Sequence, residues 1–338
     1  MIHARRASAP ATVAHASLVP APLPPTQIGP RLFEWGSRTF VMGIVNVTPD
    51  SFSGDGLLAV SGRAEPAGAA EPAGAAESVG APEPAGASES AGAAKSAGAV
   101  VEAAVARARE MVDAGADILD VGGESTRPGH SPVSEGEERA RVVPVIAAIH
   151  AALPDVPISI DTTKPAVAEA ALDAGATLLN DVWGVSTDDT MARLAALRGV
   201  PLVVMHNRAE PRYSDFWAEL VEDLHAALER AVGVGVGREN LIVDPGFGFG
   251  KTPEHNLIVM RELAGLRQLR QPILLGTSRK STIGRVLGDL PTGERLEGTL
   301  ATTAIGIAAG VDMVRVHDVR ANVRAARVAD AICRGTWQ

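Results

Sequence analysis

Several polar side chains stand where strongly apolar runs of the chain end. Asp161, Asn180 and Asp244 each come directly after such a run. Carboxylate and amide groups gathered in a confined space offer hydrogen-bond acceptors together with amide donors. Such groups suit the edge of a flat heterocycle that carries an amino group and ring N–H groups. These three residues therefore predict a site for a nitrogen heterocycle.

Cationic side chains near other apolar runs indicate an anion close to that heterocycle. Arg127, Lys280, Arg315 and His317 supply positive charge, and an arginine guanidinium clamps phosphate oxygens with two parallel hydrogen bonds. The glycine-rich segment 246–250 lets the backbone approach a flat ligand closely. The residue types thus predict a heterocycle and a phosphate group bound side by side.

Eight apolar runs must position these side chains, and helical stretches separate the runs. The helices are expected at 101–114, 135–152, 166–174 and 215–232, among others, and glycines at 115 and 175 suit the ends of two helices. The runs, each followed by or containing polar residues, are 40–45, 118–121, 156–160, 177–179, 201–205, 241–243, 272–275 and 313–316.

Regular alternation of buried strands and helices predicts an α/β fold of the (β/α)8 type, a TIM barrel. The carboxyl ends of barrel strands share one rim, where the active sites of such enzymes lie. The polar residues at all the run ends would therefore meet at that rim. An open, doubly wound sheet is the alternative fold.

Composition fits one barrel with two segments outside its core. The chain has 338 residues, of which 46% are hydrophobic, enough for a large core. Residues 1–30, rich in alanine and proline, predict a disordered extension, with a targeting segment as the alternative. Residues 64–99 repeat a six-residue unit of small and charged residues that cannot bury a core. They predict a disordered insertion after the first barrel strand, within a barrel domain at 31–338.

Charge and cysteine usage exclude several classes of partner. The net charge of −9 disfavours nucleic acid and anionic membrane surfaces as partners. No apolar run approaches the ~18 residues of a spanning helix. A single cysteine, Cys333, excludes an internal disulfide framework and fits a reducing compartment, so a cytoplasmic location is predicted.

The chemistry-bearing residues lie in seven segments that together resemble the dihydropteroate synthase family. The segments follow the family's order and span most of residues 40–333 apart from the repeats. They are MGIVNVTPDSFS (42–53), DVGGESTRPG (120–129), SIDTTKPAVAEAAL (159–172), LLNDVWG (178–184), DPGFGFGKTPEHNL (244–257), GTSRKSTIG (276–284) and RVHDV (315–319).

The resemblance implies a fold, a reaction and an assembly. It implies a TIM barrel, usually homodimeric, in the pterin-binding group of enzymes. The reaction would condense (7,8-dihydropterin-6-yl)methyl diphosphate with 4-aminobenzoate, releasing diphosphate and 7,8-dihydropteroate. This is a transferase of folate biosynthesis that acts on two small molecules.

The resemblance also implies a role for individual residues. Asn46 would coordinate Mg²⁺ bound to the substrate diphosphate. The pterin ring would contact Asp161, Asn180, Asp244 and Lys280, and the diphosphate would contact Arg127, Arg315 and His317. The residues on the 4-aminobenzoate side would be Thr126, Phe52, Phe249 and Ser281, and those implied as catalytic are Lys280, Arg127, Arg315 and His317.

Two segments depart from the family's usual pattern. The order at 54–56 is Gly-Asp-Gly rather than Asp-Gly-Gly, and the repeats follow it. The segment 205–210 lacks the common Met-His-x-x-Gly-x-Pro form. These departures put the closing contacts of the first loop and the rim contacts of the fifth in question, but not the chemistry.

Two other functions are compatible with parts of the pattern. A pterin-dependent methyltransferase would keep the acidic and amide contacts but would not need the cations at 278–280 and 315–317. A non-catalytic paralogue, or one with an altered substrate, would keep the fold and the binding residues. A diphosphate-release assay would separate these functions.

Two shorter signals are weak. Gly250–Thr252 resembles the end of a phosphate-binding P-loop, but Pro245 stands where that motif requires glycine. His206 and His317 are too far apart in sequence to predict a metal pair. His206 alone is expected to be a hydrogen-bonded residue of the rim rather than a direct ligand.

Overall fold

Eight parallel strands close into a barrel in the computed structural model, which describes residues 23–47, 87–124, 132–184 and 188–336. The barrel strands are β3 (Phe40–Asn46), β4 (Ile118–Gly122), β5 (Ile158–Asp161), β6 (Leu178–Asp181), β7 (Leu202–Met205), β8 (Leu241–Asp244), β9 (Leu274–Leu275) and β10 (Met313–Val316). Two short strands, β1 (Thr26–Ile28) and β2 (Arg31–Phe33), precede them and form a separate sheet. The barrel order is β8-β7-β6-β5-β4-β3-β10-β9. A parallel bridge between Val243 and Ile273 closes it. The predicted (β/α)8 barrel is confirmed.

Helices follow the barrel strands and cover their outer face. They are α1 (Ala87–Asp113), α2 (Glu135–Ala152), α3 (Pro165–Asp173), α4 (Thr190–Arg198), α5 (Phe216–Gly233), α6 (Pro253–Glu262), α7 (Ser281–Val286), α8 (Leu296–Ala308) and α9 (Val319–Cys333). Gly115 and Gly175 have φ of 102° and 115° after α1 and α3, as expected for helix ends. Within the described ranges, none of the helices is long and apolar enough to span a membrane.

The first helix starts earlier than the sequence predicted. α1 begins at Ala87 rather than at residue 101, so the last two six-residue repeats are helical. The prediction that all of 64–99 is disordered is therefore wrong for 87–99. Proline occurs in the repeats up to Pro84 but not after it. Without proline, alanine-rich sequence can continue a helix that the barrel nucleates. Residues 64–86 lie outside the described residues.

The end of the predicted N-terminal extension is also ordered. β1 and β2 form an antiparallel hairpin in which Thr26 pairs with Phe33. Thr26 and Ile28 are fully buried, so the prediction of disorder for residues 1–30 is wrong for this part. Strands of three residues leave too short a pattern to detect from sequence. Residues 1–22 lie outside the described residues.

The barrel interior has two layers of different chemistry. The residues at the amino ends of the strands pack on the hairpin in one apolar cluster, called here the lower layer: Ile28, Phe33, Trp35, Phe40, Met42, Ile118, Leu178, Val203, Ile242, Leu274 and Met313. Side chains alternate along a strand, so the residue two positions later also points inward. On four strands that residue is polar. These residues and Asp161 of β5 form the upper layer: Asp120, Asp161, Asn180, Asp244 and Arg315.

Candidate active site

Arg315 lies at the centre of the upper layer and bridges two buried carboxylates. Its Nε donates to Asp120 Oδ2 at 2.6 Å, and an Nη donates to Asp161 Oδ2 at 2.6 Å. The amide of Asn180 also donates to Asp120 Oδ2, at 3.2 Å. Arg315 on β10 thus joins side chains from β4 and β5, and Asn180 of β6 binds the same Asp120 oxygen.

Each of these two carboxylates keeps one oxygen without a donor. Asp120 Oδ1 and Asp161 Oδ1 are buried and accept no hydrogen bond from any described residue. A buried acceptor without a donor costs about 1–3 kcal/mol. A ligand that brings N–H groups to the rim would remove that cost. The layer is therefore prepared for a hydrogen-bond donor rather than for an acceptor.

Burial shifts the acid–base behaviour of the layer. It raises the pKa of the Asp161 carboxyl to about 7; Arg315 opposes the shift and Asp120 adds to it. It also raises the pKa of Asp244, against the hydrogen bond from the Gly246 N–H. Burial lowers the pKa of Arg315, but the carboxylates of Asp120 and Asp161 outweigh it and the pKa is raised. A permanent cation thus faces the Asp161 carboxyl, whose pKa lies near 7.

Asp244 and Lys280 form the opposite wall of the site. The N–H of Gly246 donates to Asp244 Oδ1 at 2.7 Å. Lys280 follows β9, and its Nζ lies 3.8 Å from the centre of the Phe249 ring, a cation–π arrangement. The charge of Lys280 opposes the rise that burial causes in the pKa of Asp161 and of Asp244, so this ammonium group lies within electrostatic reach of both acids.

The remaining predicted residues lie around the same rim. His317 Nδ1 is 2.9 Å from Ser278 Oγ, which also accepts from the His317 backbone N–H at 3.2 Å, so the ring orientation is fixed. Asn46 ends β3 and is half-buried, while Ser281 begins α7 and is exposed. Among the residues described, no group of three or more histidine, cysteine or acidic side chains could hold a metal.

The rim brings together most of the residues predicted from the sequence. Asp161, Asn180 and Arg315 are in direct contact with Asp120 or with one another, and Asp244, Lys280 and Phe249 form the facing wall. Three predicted residues, Phe52, Thr126 and Arg127, lie outside the described residues.

A cavity of about 320 Å³ opens beside this wall. Asp161, Trp183, Arg208 and Phe249 are among its lining residues. Trp183, which the sequence left without a role, is 37% exposed there. The volume lies in the range of small-molecule pockets, so the cavity extends the rim site outward between the loops after β4 and β8.

Two features of the site escaped prediction from sequence. Asp120 lies inside the apolar run of β4 and does not end it, so the pattern of polar run ends did not mark it. Its side chain points into the barrel because it stands two residues after the inward-facing Ile118. Lys164 donates to Glu124 and to Glu138 Oε2, the latter at 2.6 Å. Glu124 and Glu138 both line the cavity. Only the fold brings Glu138 of α2 to this place, so no local pattern marks it.

His206 is confirmed as a hydrogen-bonded residue of the rim. Its Nδ1 lies 2.8 Å from Lys251 Nζ, and its Nε2 lies 3.2 Å from Asp223 Oδ2. The side chain is 1% exposed. It therefore serves the packing of the loops that follow β7 and β8.

Comparison with known proteins defines the class to which this fold and site belong. Residues 87–317 match the family described as pterin binding enzyme. A dihydropteroate synthase of Clostridium beijerinckii is 46% identical over 309 residues, which cover 91% of this chain and 99% of that protein.

Solved structures agree in fold. The dihydropteroate synthase of Clostridium difficile, determined in the presence of pteroic acid, has 44% identity and a TM-score of 0.74 and covers 89% of this chain and 99% of its own. That of Xanthomonas albilineans, with 4-aminobenzoic acid, has 35% identity and a TM-score of 0.75 over 92% and 98% of the chains.

The chain belongs to the pterin-binding enzymes, and within them to the dihydropteroate synthase family. It is a transferase with the activity of that family. The resemblance seen in the sequence, and the fold and enzyme class it implied, are confirmed.

Proposed function

We propose that the upper layer of the barrel binds the dihydropterin ring of (7,8-dihydropterin-6-yl)methyl diphosphate for condensation with 4-aminobenzoate. The observation that carries the proposal is the unpartnered, buried Oδ1 of Asp161 beside Asn180 and Asp244. A pterin edge presents an amino group and ring N–H groups, which are the donors that these acceptors lack. Lys280, on the facing wall, completes the ring contacts.

The diphosphate takes the cationic part of the rim. Arg315 and His317 lie at the end of β10, and we assign them to the leaving group together with Arg127. Asn46 is assigned to Mg²⁺; a half-buried amide oxygen at the rim fits an ion that takes most of its ligands from phosphate and water. When bound, the ion neutralises part of the charge on the diphosphate.

The second substrate lies towards the loops. Phe249 and Ser281 flank Lys280 on the outer side, and we assign them to 4-aminobenzoate with Phe52 and Thr126. The Phe249 ring already stacks on the Lys280 ammonium group. This arrangement sets the aromatic amine next to the pterin methylene group, so that the enzyme contributes orientation to the attack.

Charges on the two walls explain the catalysis. If the C–O bond breaks before the amine attacks, positive charge develops on the pterin methylene while diphosphate leaves as an anion. The carboxylates of Asp161 and Asp244 stabilise the first charge, and the cations assigned to the diphosphate, Arg127, Arg315 and His317, stabilise the second. The neutral amine is already a nucleophile, so no covalent intermediate with a protein side chain is required.

A coupled diphosphate-release assay tests the proposal. Pterin diphosphate and 4-aminobenzoate together should release diphosphate, and mass spectrometry should find 7,8-dihydropteroate in equal amount. Tight pterin binding without release would identify a non-catalytic paralogue and overturn the proposal.

Calorimetric titration of pterin diphosphate with and without Mg²⁺ tests the assignment of the metal. Equal affinity in the two titrations, together with equal turnover in EDTA, would exclude a role for Mg²⁺.

We also propose that the enzyme is a cytoplasmic homodimer. Val286 and Leu287 at the end of α7 and Ile305 on α8 are 63%, 41% and 55% exposed. Exposed large apolar side chains are common at protein–protein interfaces when they form a patch. Light scattering should give a dimer for the full chain and a monomer for Ile305→Glu.

The proposed cytoplasmic location rests on a different observation. The single cysteine, Cys333, is exposed and free, which supports a reducing compartment.

A further inference from the structure

We propose that Lys251 is a positioning residue, which holds the loop after β8 (residues 245–252, the β8 loop) against the loop after β7 (residues 206–215, the β7 loop) and so places Phe249 beneath Lys280. The proposal deepens the proposed function, because it concerns how the same site is kept in shape for 4-aminobenzoate.

The Lys251 ammonium group makes three hydrogen bonds. Its Nζ donates to His206 Nδ1 at 2.8 Å, to the His206 carbonyl oxygen at 3.2 Å and to the Phe249 carbonyl oxygen at 3.0 Å. An ammonium group carries three N–H donors on one atom, so these bonds use all of them. Two acceptors belong to the β7 loop and one to the β8 loop, which makes Lys251 a bridge between the two.

The first of these bonds determines the tautomer of His206. If Nδ1 accepts from Lys251, the ring proton lies on Nε2 and is donated to Asp223 Oδ2, 3.2 Å away. Asp223 also accepts from Arg208 Nε at 2.8 Å. Burial, with the charges of Lys251 and Arg208, lowers the pKa of His206 to about 3. A neutral imidazole with one proton position therefore joins the bridge to α5.

The β7 loop and the β8 loop approach each other so closely that only glycine fits at two positions of the β8 loop. Gly246 and Gly250 have φ of 68° and 54°, and a Cβ on either would collide with the carbonyl oxygens of His206 and Arg208, respectively. The hydroxyl of Tyr213 also donates to the Gly250 carbonyl, at 2.7 Å. The two loops are therefore in close backbone contact, and the side chains of Lys251 and Tyr213 add hydrogen bonds between them.

Loss of the Lys251 bridge would affect the substrate site through Phe249 and Asp244. The carbonyl oxygen of Phe249 accepts a hydrogen bond from Lys251, and the centre of the Phe249 ring lies 3.8 Å from Lys280 Nζ. Burial lowers the pKa of Lys251 to about 7, and the charge of Asp244 opposes that shift. Loss of the bridge would thus shift Phe249 first and Asp244 second. Displacement of a substrate contact by about 1 Å can lower a rate by on the order of 100-fold.

The test compares Lys251→Met with Lys251→Arg in the full chain. Methionine keeps an unbranched side chain but has no donor, and arginine keeps the charge but spreads its donors over a planar fork. In Lys251→Met we expect KM for 4-aminobenzoate to rise about 10-fold or more and KM for pterin diphosphate to change less than about 3-fold. Arginine should recover less than half of the lost kcat/KM.

A matched control is Arg212→Met, which removes a cation of the β7 loop whose side chain is 86% exposed. It should leave both KM values unchanged. Complete recovery with Lys251→Arg would show that charge alone matters and would overturn the proposal. So would equal changes of both KM values in Lys251→Met, because a general structural defect would affect both substrates.

The wild-type enzyme gives a second, independent test. Nitrogen NMR of the imidazoles should show His206 as the neutral Nε2–H tautomer at about pH 6, below the pKa of about 7 to which burial lowers the Lys251 ammonium group. In Lys251→Met the restraint on Nδ1 disappears, and His206 should exchange between tautomers. A wild-type His206 protonated on Nδ1 would overturn the bridge even if Lys251→Met does not fold. If the wild type makes no dihydropteroate, the proposed function fails, but this spectroscopic test still stands.

Discussion

The two layers of the barrel interior are built on the same strands but have opposite chemistry. Ile118, Leu178, Ile242 and Met313 belong to the lower layer and are fully buried. Two residues further along the same four strands are Asp120, Asn180, Asp244 and Arg315. Two residues of a strand span roughly 7 Å. Within that distance the interior changes from a packed apolar core to a set of buried charges.

The difference shows how the fold supports a costly site. Burial of charges costs several kcal/mol for each ion unless they are paired, and the upper layer leaves two carboxylate oxygens unpaired. The lower layer, with the hairpin that closes it, contributes the apolar burial that offsets this cost. One end of each strand therefore provides stability, while the other is free to bind ligand. Substitutions in the two layers should separate these contributions.

The largest effect is expected for Asp161→Asn in the upper layer. Asparagine keeps the shape but removes the negative charge that stabilises the developing cation, so kcat/KM should fall by at least about 1,000-fold, about 4 kcal/mol. Steady-state kinetics on the folded variant measure this.

Asp181→Asn is the control for Asp161→Asn. Asp181 follows the inward-facing Asn180 on β6 and accepts from the Trp183 backbone N–H at 3.0 Å. Its kcat/KM should stay within about 3-fold of wild type. A large loss there and a small one in Asp161→Asn would contradict the assignment.

Ile118→Ala tests the lower layer on the strand that carries Asp120. Removal of a fully buried side chain leaves a cavity and should lower the free energy of unfolding by about 2–5 kcal/mol. Both KM values should remain as in the wild type, because none of the proposed substrate contacts lies in the lower layer. Urea unfolding and kinetics together check the separation, and a rise in either KM would show that the layers are coupled.

Lys280→Ala tests the wall that faces the acids. Its ammonium group lies over Phe249 and is within electrostatic reach of Asp161 and Asp244. We expect kcat/KM to fall by at least about 100-fold, about 2.7 kcal/mol, with stability almost unchanged. A folded variant with kinetics close to those of the wild type would exclude Lys280 from the site.

Sequence reasoning identified most of this arrangement because the barrel repeats one local rule. Each apolar run became a strand, and the residue at its end, as with Asp161 and Asp244, reached the rim. Asp120 was missed because it interrupts a run instead of ending it. The role of Lys251 was missed because its acceptors, above all His206, come from another unit of the barrel. Only tertiary structure determines such pairs.

A smaller effect, specific to pH, is expected for His206. Its pKa is lowered in the folded state to about 3, so between pH 6.5 and 3 the unfolded chain binds a proton that the folded chain does not. Stability must therefore fall as the pH falls through this range. Between pH 7 and pH 5, wild type should lose about 2 kcal/mol more than His206→Asn in urea unfolding. Equal losses would show that His206 titrates normally.

The smallest effect is expected for deletion of residues 64–86, the repeats before α1. We propose that they make no stabilising contact with either layer, because their composition provides almost no apolar surface. The connection from residue 48 to residue 86 has 39 residues, and the deletion leaves 16. Closure entropy grows only with the logarithm of loop length, so the change is about 0.8 kcal/mol.

The melting temperature of this deletion variant should accordingly stay within about 3 °C of wild type. Its KM for 4-aminobenzoate should fall or stay the same. Calorimetry and kinetics measure both, with Ile118→Ala as the reference for a true loss of packing. A fall in melting temperature as large as that of Ile118→Ala, or loss of turnover, would mean that the repeats take part in the fold or in the site.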